Sequence, residues 1–185
     1  MASLPNPTRV TYEEWLEMPV VEDAREEVVD GEIILMPPAK LLHARIAVRL
    51  VKALARQLDE TRYDVLTGSF GVVIRKQPLT SRNPDVAVFD RTTGVEENGY
   101  YRSAPQLAIE VLSPSESGLM KERKLRDYES IGTPEAWVIS PEARSVEILH
   151  LEDGHLRTTA ILREGILKPR EFPHVQVDIA QIWPD

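Results

Sequence analysis

Between Ala39 and Leu58 the apolar residues Leu42, Ile46, Leu50, Leu54 and Leu58 recur at every fourth position, with Val51 beside them. That spacing predicts a long helix with one buried stripe. Upstream, Thr11 stands three residues before Glu14, a capping box for a short helix from Tyr12 to Glu17, with Val10 and Trp15 placed as a hydrophobic staple and Pro19 closing the turn. In "EEVVDGEIILMP" the pair Asp30-Gly31 separates two β-rich runs and predicts a hairpin. Val65 to Arg75 then reads as one strand with a glycine interruption, Pro84 to Phe89 as a second, and the nearly all-apolar Leu107 to Leu112 as a third. A second helix, Leu119 to Ile131, stops at Gly132, and Ala136 to Ile139 is a further buried strand. After Pro141 the pattern turns antiparallel: "SVEILHL", a turn at Asp153-Gly154, "HLRTTAIL", and a short helix near the C-terminus.

The order is helix, three strands, helix, strand, with hairpins on both sides, which predicts an α/β fold around a mixed β-sheet. There is no internal repeat, and the 14 prolines imply short elements with sharp ends. The 185 residues are expected to form one domain: a lead-in over 1–25, a core over 26–140 and a C-terminal β extension over 141–185.

Composition narrows the chemistry. The chain has no cysteine, which excludes disulfides and thiolate metal sites and fits a reducing, cytoplasmic setting. No run approaches the ~20 apolar residues of a membrane span, so a soluble protein without a membrane partner is expected. A net charge of −8 has the wrong sign for unspecific binding along a phosphate backbone, so any contact with DNA must be local. Lys121, Arg123, Lys124 and Arg126 cluster next to Glu122 and Asp127, and by default such a cluster is a solvated helix face.

Two acids break the strand pattern. Asp85 opens "NPDVAVFD", and Glu110 sits inside "LAIEVL", sharing a sheet face with Ala108 and Leu112. An ionised carboxylate in apolar company must pair with a cation, shift its pKa or coordinate a metal. A hard divalent cation would resolve the repulsion of two acids converging from adjacent strands. The alternative from the residues alone is a solvated Asp85 at a strand edge and a Glu110 paired with a nearby Arg or Lys.

The segments "EEVVDGEIILMP", "RNPDVAVFD", "LAIEVLSPS", "KLRDY" and "GTPEAWVISP", in this order, resemble the Uma-two family of restriction-endonuclease-like proteins from about Glu26 onward. The resemblance implies a PD-(D/E)XK nuclease-like fold, whose helix, three strands, helix, strand core agrees with the order read above. It makes Asp85 and Glu110 ligands of Mg²⁺ or Mn²⁺, adds the backbone carbonyl of Val111, and gives Lys124 the task of positioning or deprotonating the attacking water. Tyr128 lies one turn further along the same face, Glu27 matches an acid before the first hairpin, and His43 matches a histidine seen in relatives. Two positions depart from the pattern: Leu112 stands where the usual nuclease motif has its lysine, and Met120 where relatives commonly carry an aspartate. The activity implied is hydrolysis of phosphodiester bonds, in DNA first of all, by a homodimer. A nuclease fold that binds without cleaving, or a hydrolase of another phosphate ester, is the alternative.

Other signals carry less. His150, His155 and His174 lack zinc spacing, and "TGSFGVV" has neither a P-loop lysine nor a dinucleotide fingerprint. Ser113 and Ser115 read as helix-entry residues rather than nucleophiles, and Trp137 as core. The region after Arg144 is expected to extend the sheet or form a dimer surface.

Overall fold

The computed structural model describes residues 9–19, 25–36, 38–68, 70–113 and 118–184. Among these residues the helices are α1 (Tyr12–Glu17), α2 (Leu41–Ala55), α3 (Gly118–Ser130) and α4 (Ile179–Ile182). The strands before α3 are β1 (Arg25–Val29), β2 (Glu32–Met36), β3 (Tyr63–Thr67), β4 (Val72–Lys76), β5 (Leu79–Arg82), β6 (Val86–Asp90), β7 (Glu96–Glu97), β8 (Tyr100–Tyr101) and β9 (Leu107–Val111). After it come β10 (Glu135–Ser140), β11 (Ser145–Glu152), β12 (His155–Leu162), β13 (Ile166–Leu167) and β14 (Val177–Asp178).

The described strands form two six-stranded sheets and one small pair. One sheet runs β2-β1-β5-β4-β8-β7, the other β12-β11-β10-β9-β6-β3, and β13 pairs with β14. In the second sheet β9 and β10 are parallel while their outer neighbours are antiparallel, which makes it mixed. The short connection after α3 serves that parallel step, as a crossover helix must.

The four-residue spacing of α2 has its expected result. Ile46, Leu50 and Leu54 are fully buried against Val86, Val88, Ile109 and Trp137 of the second sheet, and Phe172 and Trp183 close the same core from the C-terminal segment. Leu42 departs from the stripe: it is half exposed, because it belongs to the first helical turn, which overhangs a pocket. On the other sheet face, Leu125 of α3 packs with Ala136, Val138 and Leu149. Helix α1 carries the full capping box between Thr11 and Glu14 and buries Tyr12 and Trp15 against Val28, Val73 and Leu79.

Asp30 and Gly31 have φ of 53° and 82°, the left-handed pair that a tight β1–β2 turn demands. The expected single strand from Val65 to Arg75 is two strands in different sheets. The backbone swings to φ 97° at Gly68, and at Gly71 a Cβ would lie 2.6 Å from the ring of Tyr100, so the chain leaves one sheet and enters the other on two residues without side chains. Strand β5, "LTSR", has no apolar alternation to announce it, yet all four residues are buried between β1 and β4. Ser115, taken above as a helix-entry residue, lies outside the described residues. Residues beyond Pro141 extend the second sheet through β11 and β12. Among the described residues no helix is long and apolar enough to cross a membrane.

Candidate active site

Strand β5 belongs to the first sheet and β6 to the second, so Asn83-Pro84 carries the chain across the junction, with Arg82 and Asp85 at its two ends. The ladders on each side determine what meets there. The β1–β5 rung Val28↔Ser81 brings the next pair, Glu27 and Arg82, together, and Arg82 donates to Glu27 at 2.7 Å and to Asp127 of α3 at 2.7 Å. The β6–β9 ladder ends at Val86↔Ile109; one step further, Asp85 stands opposite Glu110. Glu110 turns its carboxylate to α3, whereas Asp85, beyond the last rung of the ladder, turns its own to Arg25 of β1 and His43 of α2.

Lys124 and Tyr128 are one helical turn apart on α3 and present one face to these acids. The Lys124 ammonium lies 2.8 Å from Glu110 Oε2 and 3.6 Å from Glu27 Oε1, and the Tyr128 hydroxyl donates to Glu110 Oε1 at 2.5 Å. Asp85 is held from the other direction. Arg25 reaches its Oδ1 at 2.5 Å, while His43 at 3.0 Å and the Val111 amide at 2.7 Å both converge on Oδ2. Arg25 also donates to the Asn83 carbonyl at 2.5 Å, which fixes the crossover.

The two strand acids are tuned in opposite directions. Burial raises the Asp85 pKa, but the His43 hydrogen bond and the charges of Arg25 and Lys124 outweigh it and bring it down to about 2. At Glu110 burial dominates: Lys124 counteracts it, Asp85 and Glu27 reinforce it, and the carboxyl is pushed up to about 7. Burial and the Glu110 charge raise Tyr128 well above the ordinary phenol, so it remains a donor. Asp85 is thus a fixed anion, while the cations around Glu110 compensate its charge only in part.

A pocket of about 500 Å³ opens over this cluster. Its polar wall includes Arg25, His43, Asp85 and Lys124; Ile34, Met36, Leu42, Leu112 and Met120 line the rest. Arg25 Nε and His43 Nδ1 are buried in that wall without a hydrogen-bond partner, which is uncommon for buried nitrogens.

The family model described as "Putative restriction endonuclease" matches residues 12–180. The chain belongs to the Uma2 family. A crystal structure described as "a putative nuclease belonging to DUF820 from Anabaena variabilis ATCC 29413" has the same fold, with a TM-score of 0.75 at 22% identity, covering 94% of this chain and 97% of that one. No curated protein matches the chain.

For this Uma2 member the structure brings Glu27, His43, Asp85, Glu110, Val111, Lys124 and Tyr128 into one cluster. Each strand acid already has a cation of its own, Arg25 for Asp85 and Lys124 for Glu110. The donor set that could hold a divalent ion consists of the Asp85 and Glu110 carboxylates with the Val111 carbonyl. No group of three or more His, Cys, Asp or Glu gathers as a ready-made site among the described residues. Two carboxylates suit Mg²⁺, which keeps several of its waters, and a cation beside buried Glu110 would offset the burial and the neighbouring negative charges that disfavour its ionised form. Leu112 and Met120 both line the pocket, and Lys124 meets Glu110 and Glu27.

Sequence reading missed Arg25, Arg82 and Asn83. The available signal was the adjacency of "RN" to the Pro-Asp pair; nothing local marks Arg25, which meets Asp85 across 60 positions of sequence.

Proposed function

We propose that this protein hydrolyses phosphodiester bonds in DNA with a divalent cation, Mg²⁺ or Mn²⁺, held by Asp85, Glu110 and the Val111 carbonyl. The reading is carried by one observation: Asp85 and Glu110 oppose each other at the end of the β6–β9 ladder, and the Lys124 ammonium joins Glu110 to the pocket. Membership of the family supports it. When bound, the ion would polarise a phosphoryl oxygen and acidify a water.

The chain's own residues supply the rest. Asp85, kept ionised by His43, Arg25 and Lys124, offers a fixed negative oxygen at the pocket wall. Lys124 stands where it can donate to a non-bridging phosphoryl oxygen as charge accumulates there, and Arg25 and His43 line the same pocket. Tyr128 holds Glu110 in place by its hydroxyl. Two copies acting together would cut both strands of a duplex.

A second reading is a nuclease fold that binds without cleaving. The pairing of each acid with its own cation favours it. Plasmid nicking with Mn²⁺ or Mg²⁺ separates the two. Wild type should nick, Asp85→Asn and Glu110→Gln should abolish nicking, and Lys124→Ala should slow it by about a hundredfold or more. Nicking that survives in both acid variants refutes the site, and binding without turnover supports the second reading.

A further inference from the structure

Between Lys40 and Leu58 the chain carries Lys40, Arg45, Arg49, Lys52 and Arg56 and no acid, although its net charge is −8. Arg49 is used internally, donating to the carbonyls of Gln181 at 3.2 Å and Trp183 at 2.5 Å. Arg45, Lys52 and Arg56 instead lie exposed on the outer side of α2 and its C-cap, in line with Leu41 and Val48, which are 65% and 45% exposed. Among the described residues none of these three cations is matched by a carboxylate.

Much of the basic cluster on α3 is engaged by comparison, Arg123 excepted. Lys121 pairs with Glu147 at 2.5 Å, Arg126 lies 3.8 Å from Glu122, and Lys124 is buried in the site. On α2 and its C-cap, by contrast, three unmatched cations share one exposed face. That stripe also leads into the pocket, because Lys40, Leu42 and His43 at the start of the helix line the cavity over Asp85. At 1.5 Å per residue, Arg45 to Arg56 spans roughly 16 Å, the length of about five phosphates of one duplex strand at ~3.4 Å each.

We infer that the outer face of α2 is the track for the phosphate backbone of the nucleic acid whose scissile bond lies in the pocket at the helix's first turn. The inference rests on the phosphodiester reading of that pocket. An anionic membrane would answer to the same charge, but the continuous apolar stripe of α2 is already buried in the core, and the basic stripe ends at a catalytic-type cluster.

The test compares wild type with Arg45→Ala/Lys52→Ala/Arg56→Ala, and with Arg123→Ala/Arg126→Ala as a control on α3. Fluorescent single-stranded and duplex DNA are titrated in EDTA between about 50 and 200 mM salt, where phosphate contacts dominate the response. Loss of three contacts should flatten the plot of log affinity against log salt by about two to three, at ~0.7–0.9 per contact. The control should keep the wild-type slope, and hydrolysis of bis(p-nitrophenyl) phosphate with Mn²⁺ should be unchanged in both. Circular dichroism confirms folding, and Lys52→Glu alone should weaken binding as a milder second variant. An unchanged slope, an equal loss in the control, or a loss confined to phosphatidylserine vesicles overturns the inference. If the slope falls as expected but neither plasmid nor the small diester is hydrolysed, the track stands and the reading of the pocket fails.

Discussion

At the scale of single residues the site holds charges that oppose one another, and two consequences can be measured. Glu110 has a folded-state pKa near 7 against an ordinary 4.5, so folding takes up a proton between those values. Its contribution to stability is full below about pH 4.5 and is lost as pH rises through about 7. Asp85 has the opposite sign: its contribution is present above about 3.8 and disappears as pH falls towards 2. With chelator present, the urea midpoint should therefore rise as pH is lowered from 8 to 5, and Glu110→Gln should flatten that rise, leaving the smaller part due to buried Glu135, which burial also raises. A wild-type midpoint that falls over this range would contradict the assignment. Arg82 supplies the second test. It is 5% exposed and joins buried Glu27 to partly buried Asp127, so Arg82→Ala removes the nearest cation from both, leaving Glu27 only Lys124 at 3.6 Å, and should cost about 3 kcal/mol in denaturant unfolding.

At the scale of elements, the parts that were legible in sequence are those whose burial follows a local period. Helix α2 was read from the stripe Leu42, Ile46, Leu50, Leu54 and Leu58, of which the last four are buried and Leu42 is half exposed. Leu50→Ala should accordingly lower stability by about 2–5 kcal/mol. Helix α1 was read from Thr11 and Glu14, and Thr11→Ala should cost about 1 kcal/mol without altering nuclease activity, because the cap lies on the α1 side of the first sheet. Strand β5 escaped because its polar residues are buried by partners distant in sequence. Arg82 is satisfied by Glu27 and Asp127, 55 and 45 positions away, and no local pattern encodes that. The division of Val65–Arg75 between two sheets was hidden for a similar reason. Its glycines were visible, but the Tyr100 ring against Gly71 was not. The two strand acids and the lysine were legible as types; the sequence could not show that Arg25 and His43 would hold Asp85.

At the scale of the whole molecule, the site exists because the chain changes sheets at Asn83-Pro84. Glu27 arrives on β1, Asp85 leads into β6, Glu110 lies on β9, and α3 covers them with Lys124 and Tyr128. The chain is acidic overall, yet Arg45, Lys52 and Arg56 stand together on one exposed face of α2 and its C-cap, and the first turn of that helix lines the pocket. The central claim is that Asp85 and Glu110 together hold a divalent cation, and Mn²⁺ titration followed by electron paramagnetic resonance tests it without requiring turnover. Wild type should bind Mn²⁺, with affinity lost in Asp85→Asn and in Glu110→Gln alike. Equal Mn²⁺ affinity in wild type and both variants would contradict the account.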